Sequence, residues 1–304
     1  MTAPRFAVVG EALVDVVVPR GGDDETAPGG SPLNVAVGLA RLGVDTVLLT
    51  ELGDDAHGRL VLDHLATSGV SLHEGSVVPG FRTSTATAHL DEHGAASYVF
   101  NLRWTLGRRE LPAGATALHV GSLGAALRPG RDSVVDLVRQ ARGAGLLVTF
   151  DPNSRPSLTP DASKAWRDVQ EVAAVADLVK LSDEDLEFLQ PGATPHEVAG
   201  LLLGGCTKMV VVTSGGTSAF AASPAGRVEV RSRTVDVVDT VGAGDSFMAA
   251  LLTVAVEHGL DDLDEARLAG YVAAAHQVAA VTVSRRGADP PRRAELPAGW
   301  PEVP

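Results

Sequence analysis

The chain has 304 residues, a length that suits one large α/β domain or two domains of average size. Its residues are 45% hydrophobic and 21% charged, which is typical of a soluble globular protein and excludes disordered and fibrous classes. A formal net charge of −13 argues against nucleic-acid binding, because phosphate backbones are bound by clustered Lys and Arg. An anionic ligand must therefore be held by local features of the chain.

Neither the N-terminal residues nor the cysteine content indicates export or a membrane anchor. Residues 1–10 contain an apolar stretch too short for a signal-peptide core, and no run approaches the roughly 20 apolar residues of a membrane span. We therefore expect a cytoplasmic protein that does not bind membranes. Cys206 is the only cysteine, which excludes an internal disulfide or a cysteine-based zinc site and predicts a core filler.

From the N-terminus onwards, short β-branched runs alternate with helical patterns, which is the signature of parallel strands joined by crossover helices. The predicted strands are 6–9, 46–49, 117–120, 146–151, 178–180 and 209–213. The predicted helices are 32–42, 57–68, 130–144, 164–176, 195–203, 245–258 and 262–281. This order predicts an α/β fold with a doubly wound, mostly parallel sheet flanked by helices. Residues 1–304 are predicted to form one domain, with an irregular proline-rich tail from residue 290.

Two segments interrupt the alternation of strands and helices. Residues 12–18, and residues 84–91 with 95–103 joined by a turn at 92–94, have the pattern of antiparallel strands. Ligands of an open α/β sheet bind beyond the carboxyl ends of the parallel strands, so ribbons inserted after early strands are placed to cover them. We predict a small β-lid from segments at about 11–28 and 82–104. The alternative is that these strands only extend the edge of the main sheet.

The motif DTVGAGD at residues 239–245 carries the strongest chemical signal. It follows a β-like run at 234–238 and opens an apolar helix. Gly242 and Gly244 permit a sharp turn whose amides point outwards, and the helix adds the positive end of its dipole. Together they make an anion site suited to a transferring phosphoryl group. Asp245 beside it can accept the proton of an attacking alcohol. The alternative is that Asp245 only caps the helix.

Two other nucleotide-binding signatures are missing from the sequence. No lysine follows a glycine, so the GxxxxGK[ST] loop is absent, and no GxGxxG follows the first strand. The sequence therefore predicts neither a P-loop nor a dinucleotide-binding fold.

The motif GGSPLN at residues 29–34 leads into a helix that ends before Gly43. Ser31 suits the N-cap, Pro32 the first helical position and Gly43 the C-terminal stop. Asn34 has no comparable role in starting or ending the helix. Its amide lies beside a glycine pair and is placed to hydrogen-bond substrate hydroxyls, with an exposed helix residue as the alternative.

Together, the early GG-x-x-x-N element and the late DTVGAGD element resemble the two signature regions of the ribokinase-like (pfkB-type) carbohydrate kinase family. The resemblance covers about residues 6–288. It implies a ribokinase-like fold and transfer of the γ-phosphate of ATP, with Mg²⁺, to a sugar hydroxyl. It also implies that Asp245 is the general base and that Gly242, Ala243 and Gly244 form the anion hole.

The resemblance assigns residues to a sugar site. Asp15, in the segment GEALVD, matches the family aspartate that binds sugar hydroxyls. Gly30 and Asn34 match its other sugar contacts, and Ser31 between them is counted among the substrate-binding residues.

The resemblance also assigns residues to the nucleotide and to a cation. Thr213 and Gly215 match the TxG of the nucleotide loop. His276 falls where some members place a residue against the adenine, although a helix-face histidine is otherwise structural. Asp239 lies where several relatives help to ligate a monovalent cation such as K⁺.

The chain departs from the family pattern at three points. Where the family has N-x-x-E, used in magnesium and phosphate binding, the chain has SDED at residues 182–185. A capping box formed by Ser182 and Asp185 explains these residues nearly as well, so the predicted cofactor role of Asp185 has a structural alternative. Ser218 replaces a second glycine of the nucleotide loop, and Val241 lacks a side-chain oxygen that some relatives have.

The motif DPNSR at residues 151–155 resembles an element of fructokinase-like and ketodeoxygluconate-kinase-like members. Lys180, assigned to cofactor binding, favours the same group. We therefore predict phosphorylation of a primary hydroxyl of fructose, with 2-keto-3-deoxygluconate kinase and ribokinase as alternatives. Asn153 is expected to contact the sugar and Arg155 the sugar or the phosphates, while Arg103 is expected to close over the ligand from the lid. Each arginine has a solvated side chain as its alternative.

Two more distant functions remain open. A nucleoside kinase of this fold would stack aromatic side chains on a flat ring, and Phe81, Tyr98, Phe100 and Trp104 are the aromatic residues near the lid. A sugar-sensing regulator without turnover is the non-enzymatic alternative. The intact Asp245 argues against it, and the altered element at 182–185 argues for it. If the lid strands pair between subunits, as in some relatives, the protein is a homodimer.

Overall fold

The computed structural model describes residues 5–19, 23–90 and 96–304. The strands are β1 Arg5–Val9, β2 Leu13–Val18, β3 Glu25–Gly29, β4 Asp45–Leu49, β5 Leu52–Gly53, β6 Ser71–Leu72, β7 Val77–Val78, β8 Ser84–Leu90, β9 Ala96–Asn101, β10 Ala117–Gly121, β11 Leu147–Asp151, β12 Leu178–Ser182, β13 Met209–Ser214, β14 Ser218–Ala222 and β15 Arg227–Arg231. The helices are α1 Ser31–Arg41, α2 Ala56–Ser68, α3 Gly130–Gly143, α4 Ala162–Ala173, α5 Asp183–Leu189, α6 Pro195–Leu202, α7 Ala243–His258 and α8 Glu265–Val283. Short 3₁₀ helices lie at Ser122–Ala125 and Arg293–Glu295.

The central sheet has the strand order β15-β14-β13-β12-β11-β10-β1-β4-β6. Its strands are parallel from β6 to β13, and β14 and β15 complete one edge as antiparallel strands. The chain leaves β1 towards β4 on one side and returns to β10 on the other. Ligands of doubly wound sheets bind at such a reversal, outside the carboxyl ends of the strands. The predicted doubly wound sheet is confirmed.

Helices cover both faces of the central sheet. Along β1, Phe6 and Val8 belong to the apolar core that includes α1, α2, α7 and α8. Ala7 and Val9 belong to the core on the other face, with α3, α4, α5 and α6. Burial on both faces explains why the parallel strands are almost continuously apolar. Polar side chains for chemistry are therefore concentrated where the strands end.

The predicted lid strands form a separate sheet with the order β3-β2-β8-β9. They do not extend the central sheet, so the edge-strand alternative is wrong. β8 and β9 are antiparallel as predicted, but β2 runs parallel to β8, with Leu13 opposite Ser84. β3 is an additional strand, antiparallel to β2, that lacks the alternating pattern of a predictable strand. The predicted turn at 92–94 lies outside the described residues.

Two regions after β15 differ from their predictions. Residues 234–238 form no strand, because β15 ends at Arg231 and Val238 N–H donates to Val283 O of α8 at 2.8 Å. The tail contains a 3₁₀ helix and packs on the body, since Trp300 is 5% exposed and its indole N–H donates to Ala274 O at 3.1 Å.

Cys206, predicted to fill the core, is only partly buried. Within the described ranges, no helix has both the length and the apolar composition to cross a bilayer.

Candidate active site

A cleft of about 780 Å³ opens at the carboxyl ends of the central strands. Its walls come from the segments that follow β11, β12 and β13, from the start of α7 and from α8. The predicted site residues that line it are Asn153, Arg155, Lys180, Thr213, Gly215, Gly242, Ala243, Gly244, Asp245 and His276. The fold thus brings the predicted phosphate and nucleotide residues together where a doubly wound sheet binds its ligand.

The glycine turn before α7 has the geometry of an anion site. Gly242 has φ +74°, and α7 begins at Ala243. The first amides of a helix have no acceptor within the helix, and the positive end of the dipole lies beside them. Ala243 N–H already donates to Thr240 O at 3.2 Å within the turn. The amides that follow Ala243 in this turn, those of Gly244 and Asp245, are therefore better placed to bind an external anion.

Asp245 lies in the first turn of α7, with its carboxylate between two donors from α1. Ser31 Oγ donates to Asp245 Oδ1 at 2.7 Å, and Asn34 Nδ2 donates to Oδ2 at 2.8 Å. Asp245 is 9% exposed and lines the cleft. The N-cap of α7 is Gly242, so the alternative that Asp245 caps its own helix is wrong.

The start of α1 is set by a close backbone approach. Gly30 is the N-cap, with φ +104°, and Ser31 is the first helical residue, so the prediction that Ser31 caps this helix is wrong. A Cβ on Gly30 would lie 2.7 Å from Glu11 O, a contact that only glycine permits. Asn34 is 9% exposed, which excludes the alternative of an exposed helix residue.

Asp15 on β2 belongs to the same group of residues. Burial raises the pKa of the Asp15 carboxyl to about 6, while the Arg155 charge lowers it and the Asp245 charge raises it. These couplings mean that the three side chains lie within electrostatic reach of one another. A Cβ on Gly29 would lie 2.1 Å from Asp15 Oδ2, so Gly29 leaves the space that the carboxylate occupies. The predicted sugar residues on β2 and α1 therefore converge with Asp245.

Lys180 on β12 adds a positive charge next to the glycine turn. Its Nζ would lie 3.4 Å from a Cβ placed on Gly244. Asp151, at the end of β11, pairs with it at 2.9 Å. Burial opposes the charged form of Lys180, but the surrounding carboxylates, Asp151 first, raise its pKa above the usual value. Burial raises the pKa of Asp151 to about 6.

The part of the cleft with the predicted nucleotide residues combines the end of β13 with a wall from α8. Thr213 is the second-last residue of β13, and Gly215, with φ +49°, follows the strand. His276 lies near Ser232 Oγ (3.1 Å from Nδ1) and Val230 O (3.2 Å from Nε2), and packs edge-on against Phe247. Burial lowers the pKa of His276, so a neutral ring is held in the cleft wall.

Asp185 does not line the cleft. Its carboxylate accepts hydrogen bonds from Ser182 N–H and Ser182 Oγ, both at 2.8 Å, and from Ser154 N–H at 2.6 Å. The capping box with Ser182 is present, as the structural alternative predicted. Because three donors occupy a carboxylate that is 3% exposed, Asp185 does not fit a direct magnesium ligand. Asp183 and Glu184 line the cleft instead.

Asp239 joins the glycine turn to the loop after α8. Its Oδ1 accepts from Val241 N–H at 3.0 Å, and its Oδ2 accepts from Gly287 N–H at 2.8 Å. These backbone hydrogen bonds lower the pKa of Asp239, so the carboxylate is charged at neutral pH. Each oxygen retains an unused lone pair, a donor type that suits a monovalent cation.

The predicted arginines have different positions. Arg155 donates to Asn153 Oδ1 at 2.6 Å and to Ser154 O at 3.1 Å, on a loop where Asn153 has φ +37°. Arg103 is exposed at the base of the lid sheet, with its guanidinium 5.4 Å from the centre of the Phe81 ring. The structure therefore brings Arg155, but not Arg103, to the cleft wall.

Several buried polar residues near the site were not predicted. Asp151 is the counter-ion of Lys180. His119 is 1% exposed, and burial with the Lys180 charge lowers its pKa to about 3. Glu11 accepts from Gly124 N–H at 2.8 Å, and burial raises its pKa to about 7. The signal for each was a polar residue within or just after an apolar strand, but its partner was distant in sequence.

The sheet order, the separate four-stranded sheet and the glycine turn that opens α7 define the class as a ribokinase-like α/β kinase. A fructokinase from Xylella fastidiosa with bound ATP superposes with a TM-score of 0.81 at 26% identity, covering 96% of this chain and 95% of that one. A double-mutant fructokinase from Vibrio cholerae O395, in fructose-, ADP- and potassium-bound form, has a TM-score of 0.80 at 30% identity, covering 94% of each chain.

Comparison with known sequences identifies the family of the chain. The model of the pfkB family carbohydrate kinases matches residues 4–294, and the chain belongs to this family. A fructokinase from Klebsiella pneumoniae is 34% identical over 293 residues, which cover 93% of this chain and 94% of that protein. The chain is an ATP-dependent carbohydrate kinase, as its sequence motifs predict.

Proposed function

We propose that the chain transfers the γ-phosphate of ATP to a primary hydroxyl of fructose, with Asp245 as general base. The observation that carries this proposal is the position of Asp245. Its carboxylate lies at the cleft in the first turn of α7, and Ser31 and Asn34 of the sugar-site helix hold it. A carboxylate beside an anion site repels the ligand that the site attracts, and a chemical role for Asp245 explains why this unfavourable charge is placed there.

The arrangement supports in-line transfer to an alcohol. Asp15, Gly30 and Asn34 hold the sugar, and its hydroxyl faces Asp245. The carboxylate accepts the hydroxyl proton as the oxygen attacks phosphorus, a contribution of roughly 10²–10⁴-fold to the rate. The amides at the start of α7 and the Lys180 ammonium offset the charge of the phosphoryl group.

Fructose is favoured by the similar proteins and by the motif at 151–155. The relative from Klebsiella pneumoniae is named a fructokinase, and the structure from Vibrio cholerae O395 holds fructose. Arg155 of that motif lies at the cleft, electrostatically coupled to Asp15. 2-Keto-3-deoxygluconate and ribose are the alternative acceptors, and a panel of purified-enzyme assays with ATP and magnesium separates the three.

The base assignment is tested with Asp245→Asn. This change keeps the size of the side chain and removes the proton acceptor. We expect kcat to fall by roughly 10²–10⁴-fold with nucleotide affinity nearly intact. Asp136→Asn, on the exposed face of α3, is the matched control and is expected to leave kcat unchanged. Near-normal turnover of Asp245→Asn would remove the basis of the mechanism.

Metal ions enter the proposal in two ways. Magnesium supplies charge neutralisation on the phosphates, and Asp183 and Glu184 are the carboxylates at the cleft that fit it. In residues 5–19, 23–90 and 96–304, no group of three or more His, Cys, Asp or Glu side chains could hold a metal by itself.

Asp239 would help to hold K⁺. Replacing potassium with tetramethylammonium in the assay tests this role. Activity that is unchanged by the exchange contradicts it.

We also propose that the protein is a cytoplasmic homodimer formed through the lid sheet. β3 and β9 are the two edges of the lid sheet, and Val99 on β9 is 49% exposed. An exposed edge strand offers unpaired backbone groups to a second copy. Light scattering of the purified protein measures the oligomeric state, and a monomer at all accessible concentrations contradicts a dimer.

A further inference from the structure

The hydroxyl of Ser31 contacts the first turn of another helix rather than its own. Ser31 is the first residue of α1, where a hydroxyl commonly bonds a nearby backbone amide. Here Ser31 Oγ donates to Asp245 Oδ1 at 2.7 Å, across 214 residues of sequence. Ser31 is 8% exposed, so solvent competes weakly for this hydrogen bond. The contact therefore ties α1 to α7 at the cleft.

The two oxygens of Asp245 are held by donors from the same helix turn. Ser31 and Asn34 are three residues apart on α1, a spacing that places them on one helix face. Behind them α1 packs tightly on α7, since a Cβ on Gly38 would lie 2.6 Å from Ala249 Cβ. The donors thus stand on a rigid frame, which fixes the direction of the carboxylate.

We propose that Ser31 is a positioning residue for Asp245, whose hydrogen bond orients the carboxylate towards the alcohol of the substrate. This inference rests on the proposed role of Asp245 as general base. Each carboxylate oxygen accepts more than one hydrogen bond, so Oδ1 and Oδ2 each keep an acceptor site for the alcohol of the substrate. Without Ser31 Oγ, the carboxylate loses the donor that fixes Oδ1 and spends less time in the orientation that accepts the substrate proton.

Ser31→Ala tests the proposal in steady-state assays with D-fructose and magnesium ATP. We expect kcat to fall on the order of tenfold, less than the roughly 100-fold that a 1 Å misplacement costs. The KM for D-fructose should stay close to the wild-type value, because the lost hydrogen bond orients the base and does not bind the sugar. The KM for ATP should not change.

The matched control is Ser68→Ala on α2, the same substitution at a site that is 3% exposed. Ser68 Oγ has no hydrogen-bond partner in the described part of the chain, so this variant should keep the wild-type kcat and KM. In an Asp245→Asn background, Ser31→Ala should have little additional effect, because Ser31 acts through the carboxylate.

Three outcomes separate the two proposals. A low kcat for Asp245→Asn with a wild-type kcat for Ser31→Ala, or with a loss in Ser31→Ala that lies in the KM for D-fructose, overturns the role of Ser31 alone. An equal further loss when Ser31→Ala is added to Asp245→Asn also overturns it, since Ser31 would then act independently. Normal turnover of Asp245→Asn overturns the base assignment, and the positioning role with it.

Discussion

Lys180 Nζ lies 2.9 Å from Asp151 Oδ2, and the two side chains are 5% and 1% exposed. The pair joins neighbouring strands β12 and β11 at the ends that face the cleft. Removing two charges from water costs several kcal/mol per ion, which the attraction between them only partly offsets. An ion pair at this depth is therefore a weak contributor to stability, and its position beside Gly244 fits the proposed role of Lys180 in offsetting phosphate charge.

Lys180→Met should separate stability from catalysis. The variant leaves Asp151 buried without a partner, and we expect unfolding to become easier by about 3–5 kcal/mol. The double variant Lys180→Met with Asp151→Asn should recover most of that stability but keep a low kcat, because the ammonium charge is missing. Urea unfolding and steady-state rates measure the two effects.

Lys164→Met provides the control for this prediction. Lys164 pairs with Asp168 at 2.6 Å, but its side chain is 51% exposed. Solvent-exposed pairs contribute roughly 0–1 kcal/mol, so little change in stability or rate is expected. Wild-type turnover of the Lys180 and Asp151 double variant would show that the ammonium does not act on phosphate.

Gly242→Ala should damage the anion site through two separate effects. The left-handed backbone at φ +74° costs a residue with a Cβ about 1–2 kcal/mol. In addition, the new Cβ would lie 2.6 Å from Ala288 Cβ, so the turn must shift. We expect kcat to fall by about 10- to 100-fold, since the amides then miss the phosphoryl group.

Gly69→Ala isolates the backbone effect from the steric one. Gly69 ends α2 with φ +82°, and a Cβ there meets no atom within 4 Å. This variant should lose about 1 kcal/mol of stability with normal kcat. If Gly242→Ala behaves like Gly69→Ala in the rate assay, the geometry of the glycine turn does not limit phosphoryl transfer.

The pKa of Asp15 predicts how sugar binding depends on pH. Burial raises this pKa from 3.8 to about 6, so the carboxyl gains a proton as the pH falls through 6. The protonated form accepts sugar hydroxyls less well than the carboxylate does. The KM for the sugar should therefore rise as the pH is lowered from 7 to 5, by up to about tenfold per unit below the pKa.

Asp15→Asn checks the assignment of this titration. The variant should bind sugar more weakly at neutral pH, and its sugar KM should no longer respond to pH in this range. The KM for ATP serves as the internal reference in both proteins. A sugar KM that stays pH-dependent in Asp15→Asn assigns the titration to another group.

The sequence predicted the parts of the molecule that depend on local pattern. Alternating apolar strands and helices follow from burial on both faces of the sheet, and the two glycines of the motif at 239–245 indicate a tight turn because of their backbone freedom. The parallel pairing of β2 with β8 could not be predicted in this way. The two strands lie about 70 residues apart, and no local pattern specifies which distant strands pair or in which register.

The other features that the sequence did not predict depend on contacts between side chains that are distant in sequence. Ser31 fits an N-cap by local rules, and only the fold reveals that its acceptor is Asp245, 214 residues later. Asp151 and Lys180 each end a predicted strand, but no local pattern indicates that β11 and β12 are neighbours in the sheet. For Asp185 the local rule succeeded, since a capping box needs only residues three apart.

Glu11 predicts a pH dependence of stability that is independent of catalysis. Burial raises its pKa from 4.5 to about 7, so the folded state holds this proton more tightly than the unfolded chain does. Stability from this group is therefore present below pH 4.5 and is lost as the pH rises through 7. The shift corresponds to at most about 3 kcal/mol at alkaline pH.

Glu11→Gln removes the titration while keeping an oxygen for Gly124 N–H. The difference in unfolding free energy between variant and wild type should shift in favour of the variant by about 1–3 kcal/mol from pH 5 to pH 8. Glu187→Gln on the exposed face of α5 is the matched control and should show little such shift. Urea unfolding at the two pH values measures both. If the difference for Glu11→Gln does not depend on pH, the pKa of Glu11 is the same in the folded protein as in the unfolded chain. Burial of the carboxyl beside Gly124 would then not raise this pKa.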